Sequence, residues 1–233
     1  PKGGCDFLAD IAEPLPVTVF LKLFGLPTEK AREFRDLVTD HLASQSDPNV
    51  SVIGDRMRGV ANALKDTILE KQKNPGNDIL SLLWQSEFDG RPANLHDLES
   101  YGVMLFIAGL DTVFNGMALG AIHLAKNPEL QRELRADPKL IPGASEEMLR
   151  RYSFTVPPRF LNRDVEFEGV TMKQGEKALM YLPAADLDAS EFPEPDSFNL
   201  KRENNVHIAF GAGPHRCLGS HLARIELQIL YEE

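Results

Sequence analysis

The sequence predicts a mainly helical fold with a small β region, in that order along the chain. Apolar residues recur with helical spacing at positions 53, 57, 60, 64 and 68. A longer helix is predicted from the capping pair Asn94 and Asp97 to about Lys126. From residue 155 the apolar period changes to that of short strands. These observations predict one helical part, over about 1–153, followed by the strands.

Turn and cap signals divide the helical part. A short helix within 7–24 should end at Gly25, and Asp78 should cap the helix over 79–84. A polar loop is predicted over 44–49. After the long helix, Pro128 begins another helix, and a further one covers 142–152.

The predicted β region and the end of the chain complete a single domain over 1–233. Strands are expected over 159–165, 166–167, 170–172 and 177–182, with turns at Glu168–Gly169 and Gln174–Gly175. Residues 183–209 are rich in proline and predict a long meander, so that the small sheet and meander cover about 155–209. A loop and a last helix follow over 210–233.

Composition narrows the class of protein. The chain has 233 residues, 42% apolar and 26% charged, which is typical of a soluble globular protein. Its formal net charge of −10 argues against nucleic acid and anionic membranes as partners. The longest apolar run, 103–110, is too short to span a bilayer. Two distant cysteines form no disulfide framework, so we expect a cytoplasmic protein.

The most informative stretch surrounds Cys217, which lies just before the predicted last helix. Free N–H groups and the positive end of the helix dipole favour a thiolate at such a position. Glycines at 211, 213 and 219 remove Cβ atoms, so that a flat group can approach the backbone. We interpret the loop from Phe210 to Gly219 as a socket for haem iron, with Cys217 as the axial ligand.

Two other interpretations of Cys217 remain open at this point. A lone cysteine is most often a buried structural thiol. Alternatively, Cys217 and the nearby His207, His215 and His221 form a structural zinc site in a helical binding protein. The spacing of these four residues matches no established zinc pattern.

A second informative stretch, Ala108-Gly109-Leu110-Asp111-Thr112, lies in the middle of the long helix. Asp111 and Thr112 follow a largely apolar segment, and a buried acid must be paired or functional. The helix also contains four glycines, at 102, 109, 116 and 120, each costing about 1 kcal/mol relative to alanine. Close packing or a bound ligand should offset that cost.

The pattern Phe-x-x-Gly-x-x-x-Cys-x-Gly, filled by Phe210, Gly213, Cys217 and Gly219, resembles the haem-binding signature of the cytochrome P450 family. The resemblance implies haem b bound through the Cys217 thiolate, with the long central helix over the haem and the cysteine loop on its other face. The 108–112 stretch resembles the oxygen-activation motif of the family. It implies that Gly109 makes room for O2, that Thr112 holds it with a water, and that Asp111 relays protons.

The resemblance assigns further residues by their positions in the family pattern. It implies that His215 and Arg159 bind the haem propionates. It implies that Glu147 and Arg150, which alone would be read as an ordinary surface pair, form a buried structural triad with Arg202. On the substrate side it places four residues: Met104, Ile107, Thr155 and Val156.

The resemblance is to the soluble bacterial camphor-hydroxylase group, and it implies a monooxygenase. Such an enzyme inserts one atom of O2 into a C–H bond of a small apolar substrate, here expected to be a terpenoid such as camphor. Electrons would come from a [2Fe–2S] ferredoxin and its reductase. A haem-thiolate isomerase or peroxide-using enzyme is the alternative, although Asp111 and Thr112 argue against it. Family members are longer, so we expect this chain to be part of a longer protein, truncated at both ends.

Overall fold

The computed structural model describes residues 3–44 and 49–233. The chain forms two compact units, one extending to Ala118 and the other beginning at Leu119. The boundary between the units lies within a continuous helix. Most of the loop predicted over 44–49 lies outside the described residues, and the assignment of 1–233 to a single partial domain stays a prediction.

The first unit is helical, with one small hairpin. The predicted end of α1 at Gly25 is confirmed, because Gly25 has φ 67° and its N–H donates to the last carbonyls of α1. Strands β1 and β2 pair around a turn at Asp89–Gly90, and these strands were not predicted from the sequence. The elements are a π-helical turn (Leu8–Ala12), α1 (Pro14–Phe24), a 3₁₀ turn (Thr28–Lys30), α2 (Ala31–Ser44), α3 (Val50–Lys73), α4 (Ile79–Trp84), β1 (Glu87–Phe88), β2 (Arg91–Pro92) and the first part of α5 (Leu95–Lys126).

The caps predicted for α4 and α5 are both present. The N–H of Asp97 donates to Asn94 Oδ1 at 3.1 Å, and the N–H of Asn94 donates to Asp97 Oδ2 at 2.9 Å. At α4, Asp78 Oδ1 accepts from the N–H of Ser81 at 2.8 Å. These bonds satisfy backbone donors that a helix start leaves without partners, so the bounds of α4 and α5 follow from short-range sequence.

Close packing explains two of the glycines in the first part of α5. A Cβ atom at Gly109 would lie 2.7 Å from the ring of Phe20, and one at Gly102 would lie 3.3 Å from Leu64 Cδ1. One stripe of the helix is buried in the core of this unit: Leu98, Val103, Phe106 and Leu110. The absence of side chains at 102 and 109 therefore lets α5 approach its neighbours, which offsets the propensity cost.

The opposite face of α5 is not covered within the first unit. Met104 is 52% exposed, and Ala108 and Thr112 are also exposed. By length and composition alone, α5 is long and apolar enough to cross a membrane, which the short run at 103–110 did not suggest. Core helices of soluble proteins meet the same criterion.

The second unit combines helices with two small sheets. Its core contains Leu134, Ile141 and Ala144, and α7 packs against α9. The elements are the end of α5, α6 (Pro128–Ala136), a 3₁₀ turn (Pro138–Leu140), α7 (Ile141–Arg151), β3 (Pro158–Phe160), β4 (Val165–Phe167), β5 (Val170–Met172), β6 (Lys177–Leu179), α8 (Leu182–Ala185), a 3₁₀ turn (Gly213–His215) and α9 (Ser220–Glu232).

The strand pairing differs from the prediction. The Glu168–Gly169 turn joins β4 to β5, with φ of 48° and 76°. However, β3 pairs with β6 in a separate antiparallel sheet, and the strand predicted over 159–165 is broken after Phe160. The predicted turn at Gln174–Gly175 is present, because the N–H of Glu176 donates to Lys173 O at 3.1 Å, but it joins strands of two different sheets. Alternation indicates strands, but it does not specify their partners.

Candidate functional site

The loop that carries Cys217 is closed by its own backbone. The N–H of Cys217 donates to Phe210 O at 2.8 Å, and the N–H of Gly211 donates to Ile208 O at 2.7 Å. Gly211 and Gly213 have φ of 70° and 66°, in the left-handed region that side chains other than glycine rarely adopt. The glycines therefore permit the turns that bring residues 210 and 217 together.

The Cys217 side chain is exposed and lies directly before α9. Gly219 occupies the N-cap position of α9, and within the described chain no side chain caps that first turn. A Cβ atom built at Gly219 would lie 3.9 Å from Cys217 Sγ, whereas one at Gly213 would meet nothing within 4 Å. The sulfur is therefore accessible, in a part of the loop where two nearby residues, Gly213 and Gly219, have no side chains.

These residues fit a haem better than a zinc ion. Haem iron is held by the porphyrin and needs one sulfur ligand from the protein, and the exposed side chain of Cys217 would meet that need. Within residues 3–44 and 49–233, no group of three or more His, Cys, Asp or Glu residues is arranged to hold a metal ion. His207 is 1% exposed at its side chain and is hydrogen-bonded to Glu146. The structural zinc site considered from the sequence is therefore not formed.

The acid and alcohol predicted on α5 have different surroundings. Thr112 is exposed, and its hydroxyl donates to Ala108 O at 2.8 Å. Asp111 is partly buried, and Asn115 Nδ2 donates to its Oδ2 at 3.1 Å. Burial raises the pKa of Asp111, and the hydrogen bond from Asn115 opposes that rise. The carboxyl thus holds a proton more readily than a solvated aspartate.

Helix α5 is continuous through this stretch. The resemblance implied that Gly109 makes room for O2, but the observed neighbour of that position is the ring of Phe20 in α1. Packing against α1 is therefore sufficient to explain a glycine at 109, and its role in oxygen binding stays a prediction.

A cavity of about 630 Å³ lies in the first unit, against the face of α5 that bears Met104, Ile107 and Ala108. Its other walls include Met57 and Ala61 from α3 and His41 at the end of α2. The sequence analysis predicted Met104 and Ile107 as substrate-lining residues, but it missed the residues from α2 and α3. No local motif marks them, because they reach the cavity only through the packing of separate helices.

The other two predicted substrate residues, Thr155 and Val156, belong to the second unit and are partly buried. The Thr155 hydroxyl donates to Ala209 O at 3.4 Å, so it contacts the segment that leads into the cysteine loop.

Arg159 and His215, predicted to bind the haem propionates, are both exposed. Arg159 donates to the carbonyl of Pro158 at 2.8 Å.

Glu147, Arg150 and Arg202 are brought together as the resemblance implied. Arg150 donates through Nε to Glu147 Oε1 at 2.8 Å and through Nη2 to Oε2 at 3.2 Å. Arg202 Nε donates to the same Oε1 at 2.8 Å. The side chains of Glu147 and Arg150 are fully buried, and that of Arg202 is 5% exposed. We call these three residues the buried triad.

The buried triad also fixes the proline-rich meander. The two guanidinium groups donate to backbone carbonyls between Asp186 and Ser197, and Glu147 Oε2 accepts from the N–H of Asn199 at 2.9 Å. Burial alone would raise the pKa of Glu147, but the hydrogen bonds from Arg150 and Arg202 outweigh it and lower that pKa. The long predicted meander is thus held by charge-assisted hydrogen bonds.

A second ionic cluster, which the sequence analysis missed, lies beside the cysteine loop. Glu146 accepts from Arg224 Nε at 2.7 Å, from Arg224 Nη2 at 3.0 Å and from His207 Nε2 at 3.0 Å. These partners are 61 and 78 positions away from Glu146 in the sequence. No short-range pattern joins residues so far apart, so the cluster could not be located from the sequence.

An exposed cysteine before a helix, on a glycine-rich loop, is the arrangement expected of a protein that binds haem iron through a cysteine. The chain belongs to the cytochrome P450 family, whose sequence profile matches residues 48–232. Proteins of this family bind haem b with a cysteine thiolate on the iron.

Individual relatives agree with this membership. The chain is 34% identical over 239 residues to the steroid C26-monooxygenase of Mycobacterium tuberculosis (strain CDC 1551 / Oshkosh), covering 99% of this chain and 63% of that protein. It is 30% identical over 248 residues to cytochrome P450-terp of a Pseudomonas species, covering 99% and 57%. The crystal structure of CYP101J2 matches with a TM-score of 0.91 at 32% identity, covering 100% and 57%. The chain therefore spans about three fifths of the length of these relatives.

Proposed function

We propose that the protein to which this chain belongs is a haem-thiolate monooxygenase that hydroxylates a small apolar substrate. The observation that carries the proposal is the exposed Cys217 thiol at the start of α9, on a loop closed by the Cys217–Phe210 backbone hydrogen bond. Family membership and the monooxygenase name of a relative support the reaction class.

Each predicted site residue has a proposed task. Cys217 would hold the haem iron through its thiolate, and the bound haem would supply the activation of O2. Phe210 shields the sulfur from one side. Gly211, Gly213 and Gly219 have no side chains, so a haem can approach the backbone of the loop. His215 and Arg159, both exposed, donate to the haem propionates.

Proton delivery is proposed for the acid–alcohol pair of α5. Burial disfavours the charged form of Asp111, so its carboxyl would take up a proton more readily than a solvated aspartate and would pass it on during the reaction. The Thr112 hydroxyl, which now donates to Ala108 O, can rotate to hold a water on the exposed face of the helix.

The lining of the cavity supports our proposal that the substrate is small and apolar. The apolar lining residues all come from α3 and α5, and they favour apolar molecules by removing them from water, whereas Arg58 and Glu99 add charged groups to the wall. A terpenoid is our specific proposal, and the name of cytochrome P450-terp is consistent with it. The steroid named for another relative makes a larger ring system the competing outcome.

Electrons are proposed to come from a [2Fe–2S] ferredoxin and its reductase, with exposed Arg216 on the cysteine loop contributing charge to the docking site. Because the loop carries basic Arg216 while the chain as a whole is acidic, an acidic partner would be drawn to this loop rather than elsewhere. We propose a cytoplasmic location, in which α5 is a core helix rather than a membrane span.

The reaction is tested by two measurements on the haem-loaded protein. Terpenoids and steroids are first screened for a ligand-induced change in the haem spin state. The selected ligand is then incubated with ¹⁸O₂, a ferredoxin, its reductase and NAD(P)H. One ¹⁸O atom per product molecule is expected. An isomerised product without label would instead identify a haem-thiolate isomerase, and activity only with added peroxide would identify a peroxide-using enzyme.

Replacement of Thr112 tests the proton-delivery assignment. Thr112→Ala should retain haem and substrate binding but divert electrons to hydrogen peroxide, because the water-holding hydroxyl is lost. Thr112→Ser keeps a hydroxyl and is the matched control, so its ratio of product to NAD(P)H consumed should stay near that of the unmodified protein. Equal ratios in the alanine variant and the unmodified protein would remove Thr112 from the mechanism.

A further inference from the structure

Arg224 lies between a carboxylate and an aromatic ring. Its guanidinium makes two hydrogen bonds to Glu146, at 2.7 and 3.0 Å, through Nε and Nη2. Its Cζ atom lies 4.7 Å from the centre of the Phe210 ring, within the range of a cation–π contact. The fork to Glu146 thus holds the guanidinium over one particular aromatic ring.

Glu146 is in turn held from a second direction. The N–H of Ala209 donates to His207 Nδ1 at 3.3 Å, so the other ring nitrogen carries the proton and donates to Glu146 Oε2 at 3.0 Å. The Glu146 and Arg224 side chains are 28% and 22% exposed, and that of His207 is 1% exposed. Because the cluster is largely shielded from water, its charges act on nearby groups with little screening.

Phe210 connects this cluster to the thiol. Its carbonyl accepts the N–H of Cys217 at 2.8 Å, and its ring is the surface on which Arg224 rests. Arg224 also lies on α9, five residues after Gly219, or about 7.5 Å along the helix at 1.5 Å per residue. One positive charge is therefore held close to the cysteine loop through both the ring and the helix.

We propose that Arg224 and Glu146 are positioning residues that set the electrostatic potential at the Cys217 sulfur by holding a fixed cation against Phe210. This proposal rests on Cys217 being the haem ligand, as proposed above. It differs from the role of the buried triad, whose hydrogen bonds anchor the meander.

The proposal predicts opposite effects from the two charges. One-electron reduction of ferric to ferrous haem adds a negative charge, which a nearby cation favours. Arg224→Met removes the cation and leaves Glu146 with its negative charge, so the reduction potential should fall. Glu146→Gln leaves the cation uncompensated, so the potential should rise. A loss of packing alone would give no reason for the two variants to shift in opposite directions.

The test is potentiometric titration of the haem-loaded protein, with the ferric and ferrous spectra as readout. Arg224→Lys, which keeps the charge without the two-pronged geometry, should recover part of the potential lost in Arg224→Met. Arg132→Met and Glu129→Gln remove the corresponding charges from an exposed pair on α6 and should leave the potential unchanged. Thermal unfolding of every variant identifies those that fold.

A double-mutant cycle tests whether the effect of Arg224 on the reduction potential depends on the ring of Phe210. If Arg224 acts through Phe210, the shift caused by Arg224→Met should be much smaller in a Phe210→Ala background. Shifts of the same sign for Arg224→Met and Glu146→Gln, or no shift in either, would overturn the proposal. If the unmodified protein itself lacks the spectrum of thiolate-bound haem, the proposed function fails before this test applies, which separates the two failures.

Discussion

The buried triad and the cysteine loop stand at opposite extremes within one compact unit. Glu147 and Arg150 are fully buried, and Arg202 is nearly so. The two guanidinium groups donate hydrogen bonds to the Glu147 carboxylate and to backbone carbonyls. Cys217 is exposed, and its loop is held mainly by backbone hydrogen bonds and glycine conformations. Both regions contain charged or reactive side chains, but only the Cys217 thiol is exposed, so only the loop leaves such a group accessible to a ligand.

The difference shows how charge is used in the two places. In the buried triad, two arginines face one carboxylate, and backbone carbonyls accept the remaining guanidinium N–H groups. Such groups are costly to separate, so they fix a long meander that has little regular structure. In the loop, the sulfur of Cys217 is exposed, while Arg224 contacts the ring of Phe210 and is paired with Glu146.

The largest predicted effect breaks the buried triad. Glu147→Ala should lower the free energy of unfolding by about 3–5 kcal/mol, because two arginines would lose their buried counter-charge. Denaturant unfolding followed by circular dichroism measures this. The control is Glu129→Ala, which breaks an ion pair of the same i, i+3 spacing with exposed side chains and should cost about 0–1 kcal/mol. Similar losses in both variants would refute the structural role of burial here.

Gly109→Ala tests the packing of α5 in the first unit. The new Cβ atom would lie 2.7 Å from the Phe20 ring, and overpacking of this kind costs about 1–3 kcal/mol despite the better helix propensity of alanine. Gly54→Ala in α3 is the matched control, because its nearest neighbour is the flexible end of Arg58 at 3.4 Å. That variant should gain about 0.5–1 kcal/mol. The result would count against the packing explanation if both alanines stabilised the protein.

Glu226 on α9 contrasts with Glu146, because Glu226 is a buried acid without compensating charge. Within the described chain its Oε2 has no hydrogen-bond partner, and burial raises its pKa to about 7. A raised pKa means that ionisation in the folded state costs stability as the pH rises from about 4.5 toward 7 and above. Glu226→Gln should therefore stabilise the protein by about 1–3 kcal/mol at pH 8 and by less at pH 5. Equal effects at both pH values would contradict this assignment.

Glu146 should give the smaller pH effect, with the opposite sign. Burial would raise its pKa, but hydrogen bonds from His207 and Arg224 lower it to about 2. Its contribution to stability is therefore complete above about pH 4.5 and is lost as the pH falls toward 2. The difference in unfolding free energy between the unmodified protein and Glu146→Gln should shrink over that window. A difference independent of pH would mean that Glu146 is not ionised in the folded protein.

Short-range signals predicted much of the helical fold. The Asn94–Asp97 pair, Asp78 and Gly25 are local features whose hydrogen bonds involve neighbouring residues, so they could be located from sequence. Strand partners could not, because alternation identifies a strand without its register, and β3 pairs with β6 rather than with the next strand.

The candidate site was predictable where a motif carries it. Cys217, Thr112 and the Glu147–Arg150 pair lie in short patterns that resemble those of the family. The α3 wall of the cavity and the Glu146–His207–Arg224 cluster depend on contacts between distant segments, with His207 being 61 positions from Glu146. Nothing in the sequence around His207 or around Glu146 indicates that these two residues are partners.

The central claim is that Cys217 binds haem iron as a thiolate, and the spectrum of the reduced, CO-treated, haem-loaded protein tests it most directly. We expect the red-shifted Soret band of thiolate-bound haem in the unmodified protein and in Cys5→Ser, the variant of the other exposed cysteine. Cys217→Ser should lose that band. A red-shifted band that persists in Cys217→Ser, or its absence from the unmodified protein, would contradict the account.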